Sequence, residues 1–153
     1  MVTAIESKEI KAKAIINLID KYFNLNCKDF DRLGNNVIAR QMAMYYIRKE
    51  IKMHFNKIGK LFPSKDSASG YKGHDTVLYS CRTISDLIEV DYQTKEYHKD
   101  LGKEVELIAK LNLNEITQYK IRSNIFEKLK QLSESQLNDV NLNLDNYLLN
   151  MSA

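Results

Sequence analysis

A chain of 153 residues with 44% hydrophobic residues is large enough for one compact domain, or for a small domain with an appendage. Five glycines and one proline favour a mostly helical protein over a sheet-rich one. The chain has no apolar run of 18 residues and no apolar signal segment, so we expect a cytoplasmic protein without membrane contact. Cys27 and Cys81 form no CxxC pair and exclude a disulfide framework.

The net charge of +3 is unevenly distributed along the chain. Residues 1–31 carry five basic and five acidic groups, residues 32–82 carry ten and three, and residues 83–153 carry eight and twelve. The middle segment is therefore +7 and the C-terminal segment −4. A basic segment of this kind suits a phosphate-backbone partner, although most lysines and arginines only solvate a surface.

The first predicted helix runs from about Ile5 to Phe23. Its apolar stripe at helical spacing indicates core packing rather than a cofactor site, and comprises Ile15, Ile19, Tyr22 and Phe23.

Gly34 interrupts the helical pattern, and Asn35 or Asn36 can cap a second helix that begins near Val37. This helix directs Met42, Tyr46 and Ile47 inward. It leaves three basic side chains for solvent or phosphate, namely Arg40, Arg48 and Lys49.

A short third helix is predicted from about Asn56 to Phe62, with Gly59 allowing close approach of a neighbouring helix. The next segment, residues 63–73, is small, polar and glycine-containing, which predicts an exposed, mobile loop. Its larger polar side chains either touch a nucleic acid or are simply solvated: Lys65, Tyr71 and Lys72.

A fourth helix starts near His74 and places an apolar stripe against the core, with Asp75, Tyr79 and Arg82 on its opposite face. That stripe consists of Val77, Cys81, Ile84 and Ile88, of which Cys81 is interpreted as a small buried hydrophobe.

Three further helices follow in the sequence pattern. They are predicted over residues 93–110, after Asn112, and after Ser133, where Gln136 completes a capping-box pattern. The apolar positions of the last two are Ile116, Tyr119, Ile125, Leu129, Leu137, Val140, Leu144, Tyr147 and Leu148.

Three fragments of the sequence occur in an order that is typical of one family. They are Arg40-Gln41-Met42-Ala43-Met44, Ile58-Gly59-Lys60-Leu61-Phe62 and Gly73-His74-Asp75-Thr76-Val77-Leu78-Tyr79-Ser80-Cys81-Arg82. They resemble the RQ-x-AM, IG-x-x-F and DH-S/T-TV-L-x-x-C-R-x-I pattern of the C-terminal DNA-binding domain of the bacterial replication initiator DnaA. The resemblance covers about residues 15–100. It implies an all-α, Trp-repressor-like helix-turn-helix fold, extended here by extra C-terminal helices.

The resemblance also implies roles for individual residues. His74 and Asp75 would contact bases and Thr76 a base or phosphate, while Arg40 and Gln41 would contact the backbone. Arg32 lies at the offset of the family's minor-groove arm, but the basic run there is reduced to this one residue. The complete set of candidate DNA-binding residues is Arg32, Arg40, Gln41, Arg48, Asn56, Lys57, Lys72, His74, Asp75, Thr76 and Arg82.

Plain structural interpretations stay open for several of these residues. His74 can be a capping or loop histidine, and Asp75 a first-turn residue without base contact. Arg40 and Gln41 can be ordinary surface residues. The chain also departs from the family pattern, because Gly73 replaces an Asp, Asp75 replaces a Ser or Thr, and the segment 63–73 replaces a turn of about four residues. We therefore expect a DNA preference different from the family's usual one.

The sequence favours binding over catalysis. It contains no GxxxxGKS or GxxxxGKT phosphate loop, so the initiator's ATPase module is predicted to be absent, and it shows no metal-ligand spacing or cofactor motif. We expect a sequence-specific double-stranded DNA-binding protein, a replication or transcription regulator of a bacterium, phage or mobile element. Residues 1–110 would form its DNA-binding domain and residues 111–153 an appended segment for a homodimer or a protein partner. The alternative is a helical protein-interaction module.

Overall fold

The computed structural model describes residues 3–29 and 34–152, and the regular elements of these ranges are helical. Seven α-helices lie within them: α1 Ala4–Phe23, α2 Asn35–Tyr46, α3 Phe55–Gly59, α4 His74–Val90, α5 Tyr92–Lys110, α6 Leu113–Leu129 and α7 Glu134–Met151. A π-helical turn, Ile47–Ile51, continues α2. The predicted all-α class is confirmed.

The chain forms two compact units that divide between Leu113 and Asn114. In the first unit α4 packs against α2, α3 and α5, and α1 packs against α2 and α5. Its core consists of apolar side chains from all of these helices and the adjoining turns, among them Ile15, Ile19, Met42, Tyr46, Ile58, Phe62, Val77, Ile84, Leu101 and Ile108.

Helix α1 begins with a complete capping box, in which Thr3 and Glu6 each bond the other's backbone N–H. The apolar stripe that the sequence predicts for α1 is wider than the stripe that is buried. Ile15 and Ile19 are buried, but Tyr22 is 40% exposed and its hydroxyl donates to Asp100 Oδ2 at 2.6 Å. Burial and this carboxylate raise the pKa of Tyr22 to about 12.

The start of α2 differs from the prediction. Gly34 is the N-cap residue, with φ of 51°, and as a glycine it supplies no side-chain cap. Asn35 and Asn36 lie inside the helix rather than capping it. The left-handed backbone required at the cap favours glycine, which explains why the residue before the asparagines takes this position.

The segment between α3 and α4 is more ordered than the loop that the sequence predicts. Helix α3 ends at Gly59 instead of Phe62, and the chain then turns back on itself. Pro63 and Tyr71 pair in an antiparallel bridge, and Ser64 is only 8% exposed. The interpretation of this segment as an exposed loop is therefore wrong at its base.

Helices α4 and α5 meet at Asp91, whose carboxylate caps α5. Asp91 Oδ2 accepts from Thr94 N at 2.7 Å and Thr94 Oγ1 at 2.8 Å. These two bonds, the backbone one first, hold the pKa of Asp91 below its usual range. In α4, Val77 and Ile84 are buried as predicted, whereas Cys81 and Ile88 are only half-buried at the edge of the core.

The second unit contains most of α6 and the whole of α7. The predicted capping box at the start of α7 is confirmed, with Ser133 and Gln136 bonded reciprocally. Helix α7 buries none of its side chains. No helix in the described part of the chain has the length and apolar character needed to cross a membrane.

Candidate nucleic-acid interface

The first turn of α4 presents three exposed polar side chains. Gly73 precedes it with extended backbone, φ −75° and ψ 166°, and because glycine has no side chain the helix starts without a side-chain cap. His74, Asp75 and Thr76 are exposed, and His74 Nδ1 lies 3.2 Å from Asp75 Oδ1. The free N–H groups of this turn carry the positive end of the helix dipole. The three side chains and these N–H groups together offer hydrogen-bond donors and acceptors at one end of α4.

The ring of Phe55 connects this turn to the end of α2. The Arg48 guanidinium lies 4.5 Å from the centroid of the Phe55 ring, and the His74 ring stands edge-on to the same ring at 5.0 Å. Arg48 Nη1 also donates to the Met53 carbonyl at 3.0 Å. Two candidate residues that are 26 positions apart in the sequence are thus brought together.

Phe55 is a site residue that the sequence interpretation missed. In the sequence Phe55 is only an apolar residue next to the third predicted helix, because helical spacing carries no information about which aromatic ring meets a distant arginine and histidine. The structural sign of this second role is that its half-buried ring contacts both the Arg48 guanidinium and the His74 ring.

The other candidate residues have different environments. Arg40 is half-buried and its Nη1 donates to the Asp29 carbonyl at 2.6 Å, while Gln41 beside it is half-buried. Asn56 and Lys57 are exposed on α3, and Arg82 is exposed on the outer face of α4. Lys72 is half-buried directly before Gly73. Arg32 lies outside the described residues.

A pocket of about 280 Å³ lies where the start of α1 meets the turn before α3. Its apolar wall includes Ile5 and Met53. Its polar groups are mostly cationic and are supplied by Lys8, Lys52, His54 and Lys57. This grouping could not be predicted from the sequence, because Lys8 is more than forty positions from the other basic residues.

The family comparison matches the part of the chain that contains α2, α3 and the start of α4. Residues 12–84 match the family described as "Bacterial dnaA protein helix-turn-helix". Over these residues, the chain belongs to the DnaA helix-turn-helix family. The matched range begins within α1 and ends at Ile84 in α4, so the DnaA-type domain includes α2, α3, the segment 60–73 and the first turn of α4.

Curated relatives support this assignment. The chromosomal replication initiator proteins DnaA of Bacteroides fragilis (strain YCH46) and Nostoc sp. (strain PCC 7120) are 33% identical over 112 residues and 31% over 110 residues. These alignments cover 71% and 70% of this chain but only 21% and 22% of the relatives. The chain therefore spans about a fifth of the length of these DnaA proteins. No solved structure matches it significantly.

Proposed function

We propose that this chain binds double-stranded DNA sequence-specifically and regulates replication or transcription in a bacterial cytoplasm or nucleoid. The observation that carries the proposal is the match of residues 12–84 to the DnaA helix-turn-helix, with the exposed first turn of α4 inside the matched range. The +7 charge of residues 32–82 supports a polyanionic partner. The matched part is a helix-turn-helix and not a nucleotide-hydrolysing module, so the proposed role is binding without catalysis.

Helix α4 is proposed to enter the major groove with its N-terminal end. His74 would donate to a base edge, Asp75 would accept from cytosine N4, and Thr76 would bond a base or a phosphate. Because Asp75 also repels phosphate, it restricts the positions that this end of the helix can take. The proposed target accordingly differs from the family's usual sequence.

The remaining candidates are proposed as phosphate contacts that orient the domain. Arg40 and Gln41 on α2, Asn56 and Lys57 on α3, and Lys72 before α4 would carry most of the sequence-independent affinity. Arg48 contacts the same Phe55 ring as His74 and would bind a phosphate next to the His74 position. Arg82 would bind a phosphate from the outer face of α4. Arg32 is proposed as a minor-groove contact.

A salt titration of duplex binding tests this proposal. If four to six phosphates are neutralised, log K falls with log salt at a slope of about −4 to −5. The full chain would be titrated against a duplex selected from a random pool, with its fold checked by circular dichroism. A folded chain that binds no duplex even at low salt contradicts the proposal.

The second candidate function is a protein-interaction module, and α7 favours it. Residues 1–110 would bind DNA while residues 111–153 associate with a partner. Large apolar residues follow one another at steps of three and four along α7, which is the spacing of a coiled-coil seam: Leu137, Val140, Leu144, Tyr147 and Met151. The positions flanking this seam are mostly uncharged, among them Gln136, Asn141, Asn143 and Asn150. We infer a second copy of the chain as the partner, because two such seams meet without like-charge repulsion at their flanks.

A further inference from the structure

The segment between α3 and α4 is a closed hairpin, residues 62–72. Lys72 N donates to the Phe62 carbonyl at 3.0 Å, and Ser64 N donates to the Gly70 carbonyl at 2.9 Å, on either side of the Pro63–Tyr71 bridge. Gly70 has φ of 76° and its N–H donates to the Ser67 carbonyl at 3.0 Å, which closes the tip. These bonds fix the direction in which the insertion leaves the domain.

The base of the hairpin is anchored to the helices on both sides. Phe62 is fully buried, and a side-chain carbon placed at Gly59 would overlap the carbonyl oxygen of Lys72. The backbone at Lys72 therefore lies directly against α3, and only Gly73 separates it from α4. Because of these contacts, the hairpin and the first turn of α4 are held in one geometry.

Chain length places the hairpin close to the first turn of α4. From Tyr71 to His74 the backbone spans at most about 11 Å, because a fully extended residue covers no more than about 3.6 Å. The major groove of B-DNA is about 12 Å wide. With the first turn of α4 in the groove, Tyr71 is thus within reach of a phosphate strand that borders it.

We propose that the hairpin is a second DNA contact, in which the Tyr71 hydroxyl donates a hydrogen bond to a phosphate oxygen beside the groove. This inference rests on the proposed DNA binding. Tyr71 is 45% exposed, so this residue at the base of the hairpin is open to a partner. The hairpin contains Lys65, Asp66 and Lys72 and has a net charge of +1, which is compatible with a phosphate neighbour. Tyrosine hydroxyls are among the usual phosphate donors in protein–DNA complexes.

The test compares the full chain with Tyr71→Phe, which removes only the hydroxyl, on a 30-base-pair duplex selected by the full chain from a random pool. Tyr92→Phe is the matched control, because Tyr92 is an exposed tyrosine at the start of α5, beyond the far end of α4 from His74. We expect Tyr71→Phe to weaken binding about three- to tenfold on every sequence variant of the duplex. The salt slope should not change, because tyrosine neutralises no phosphate charge. Ethylation of one phosphate beside the site should inhibit the full chain but not Tyr71→Phe.

A second variant tests the tip separately. Replacing residues 65–69 by Asn-Gly leaves a two-residue hairpin turn and keeps the base intact. This variant should retain the ethylation effect, because Tyr71 lies in the base. If Tyr71→Phe binds like the full chain and shows the same ethylation pattern, the contact is refuted while DNA binding stands. If the full chain binds no duplex, both proposals fail.

Discussion

At the scale of single residues, the most consequential contact is the one that Phe55 makes with Arg48 on one side and His74 on the other. A guanidinium above an aromatic ring contributes about 0.5–1 kcal/mol at exposed sites and more when water is excluded. The contact joins the end of α2 to the start of α4. The orientation of His74, and with it any base contact, therefore depends on a residue that touches no DNA in the proposed complex.

His74 and Arg40 are predicted to affect binding in different ways. Replacing His74 by Ala removes a proposed base contact, so it should cost about 1–3 kcal/mol at one base position and relax the preference there. Arg40→Ala removes a proposed phosphate contact and should weaken all sequences alike. Binding of both variants to a panel of single-base site variants distinguishes the two effects. Equal, sequence-independent losses would show that His74 contacts no base.

Replacing Gly59 by alanine is predicted to destabilise the fold, because the added carbon would overlap the Lys72 carbonyl oxygen. We expect Gly59→Ala to lower the free energy of unfolding by about 1–3 kcal/mol. Gly102→Ala is the matched control, since its added carbon would meet the His98 ring at an ordinary 3.5 Å within α5. It should raise stability by up to about 1 kcal/mol. Urea unfolding measures both, and similar values for the two variants would contradict the close contact.

At the scale of elements, a histidine of α5 pairs with a buried tyrosine at the end of α2. The Tyr46 hydroxyl and His98 Nδ1 share a hydrogen bond of 2.8 Å, and the two rings stack at 5.7 Å. Burial, and then the charge of Lys49, lower the pKa of His98, while Glu106 and Glu50 oppose the shift. The neutral imidazole is therefore the form that the folded chain prefers.

A stability loss in acid is predicted from this pair. The unfolded chain protonates His98 near its usual pKa of about 6.5, whereas the folded chain takes up the proton only at lower pH. The free energy of unfolding should consequently fall as the pH drops from 7 through 6.5 and below. Urea midpoints of the wild type and His98→Gln between pH 7.5 and 5.5 measure this, with the exposed His54→Gln as control. A drop of the same size in all three chains would contradict the role of His98.

Whether a helix or turn could be predicted from the sequence depends on how close together its signals lie in the chain. Helices α1, α4, α5 and α7 could be predicted from apolar spacing, and the α7 capping box from the pair Ser133 and Gln136, because these signals lie within one or two turns of the chain. The start of α2 could not, since asparagine and glycine offer equivalent start signals and only the backbone angle at Gly34 separates them. The hairpin could not be predicted because its paired segments consist largely of polar and glycine residues, without the alternation of apolar and polar residues that is typical of a strand.

The site divides in the same way. The family motif placed His74, Asp75 and Thr76 on the first turn of α4, where the structure has them exposed. The Phe55 contacts and the lysine-lined pocket depend on tertiary packing between distant segments. No spacing rule within one helix reveals them.

At the scale of the whole molecule, the basic and the acidic residues are concentrated in different parts of the chain. The basic excess lies within residues 32–82, and the acidic excess follows in residues 83–153. Helix α7 carries Glu134, Asp139 and Asp145 without a basic residue, which makes it a poor surface for phosphate. If α7 pairs with a second copy, the resulting two-fold symmetry would present two DNA-binding units and favour DNA sites with two half-sites.

The self-association of α7 gives a test with closely matched variants. Leu144 and Leu142 are both exposed, at 51% and 62%, but only Leu144 lies on the proposed seam. An aspartate at Leu144 would place an unpaired charge in the seam, whereas an aspartate at Leu142 lies on the outer side of the helix and costs the same helix propensity. Sedimentation equilibrium of the full chain should show a concentration-dependent dimer that Leu142→Asp retains and Leu144→Asp loses. A wild-type chain that stays monomeric at high concentration, or two variants that dimerise equally, would rule out the second copy as the partner of α7.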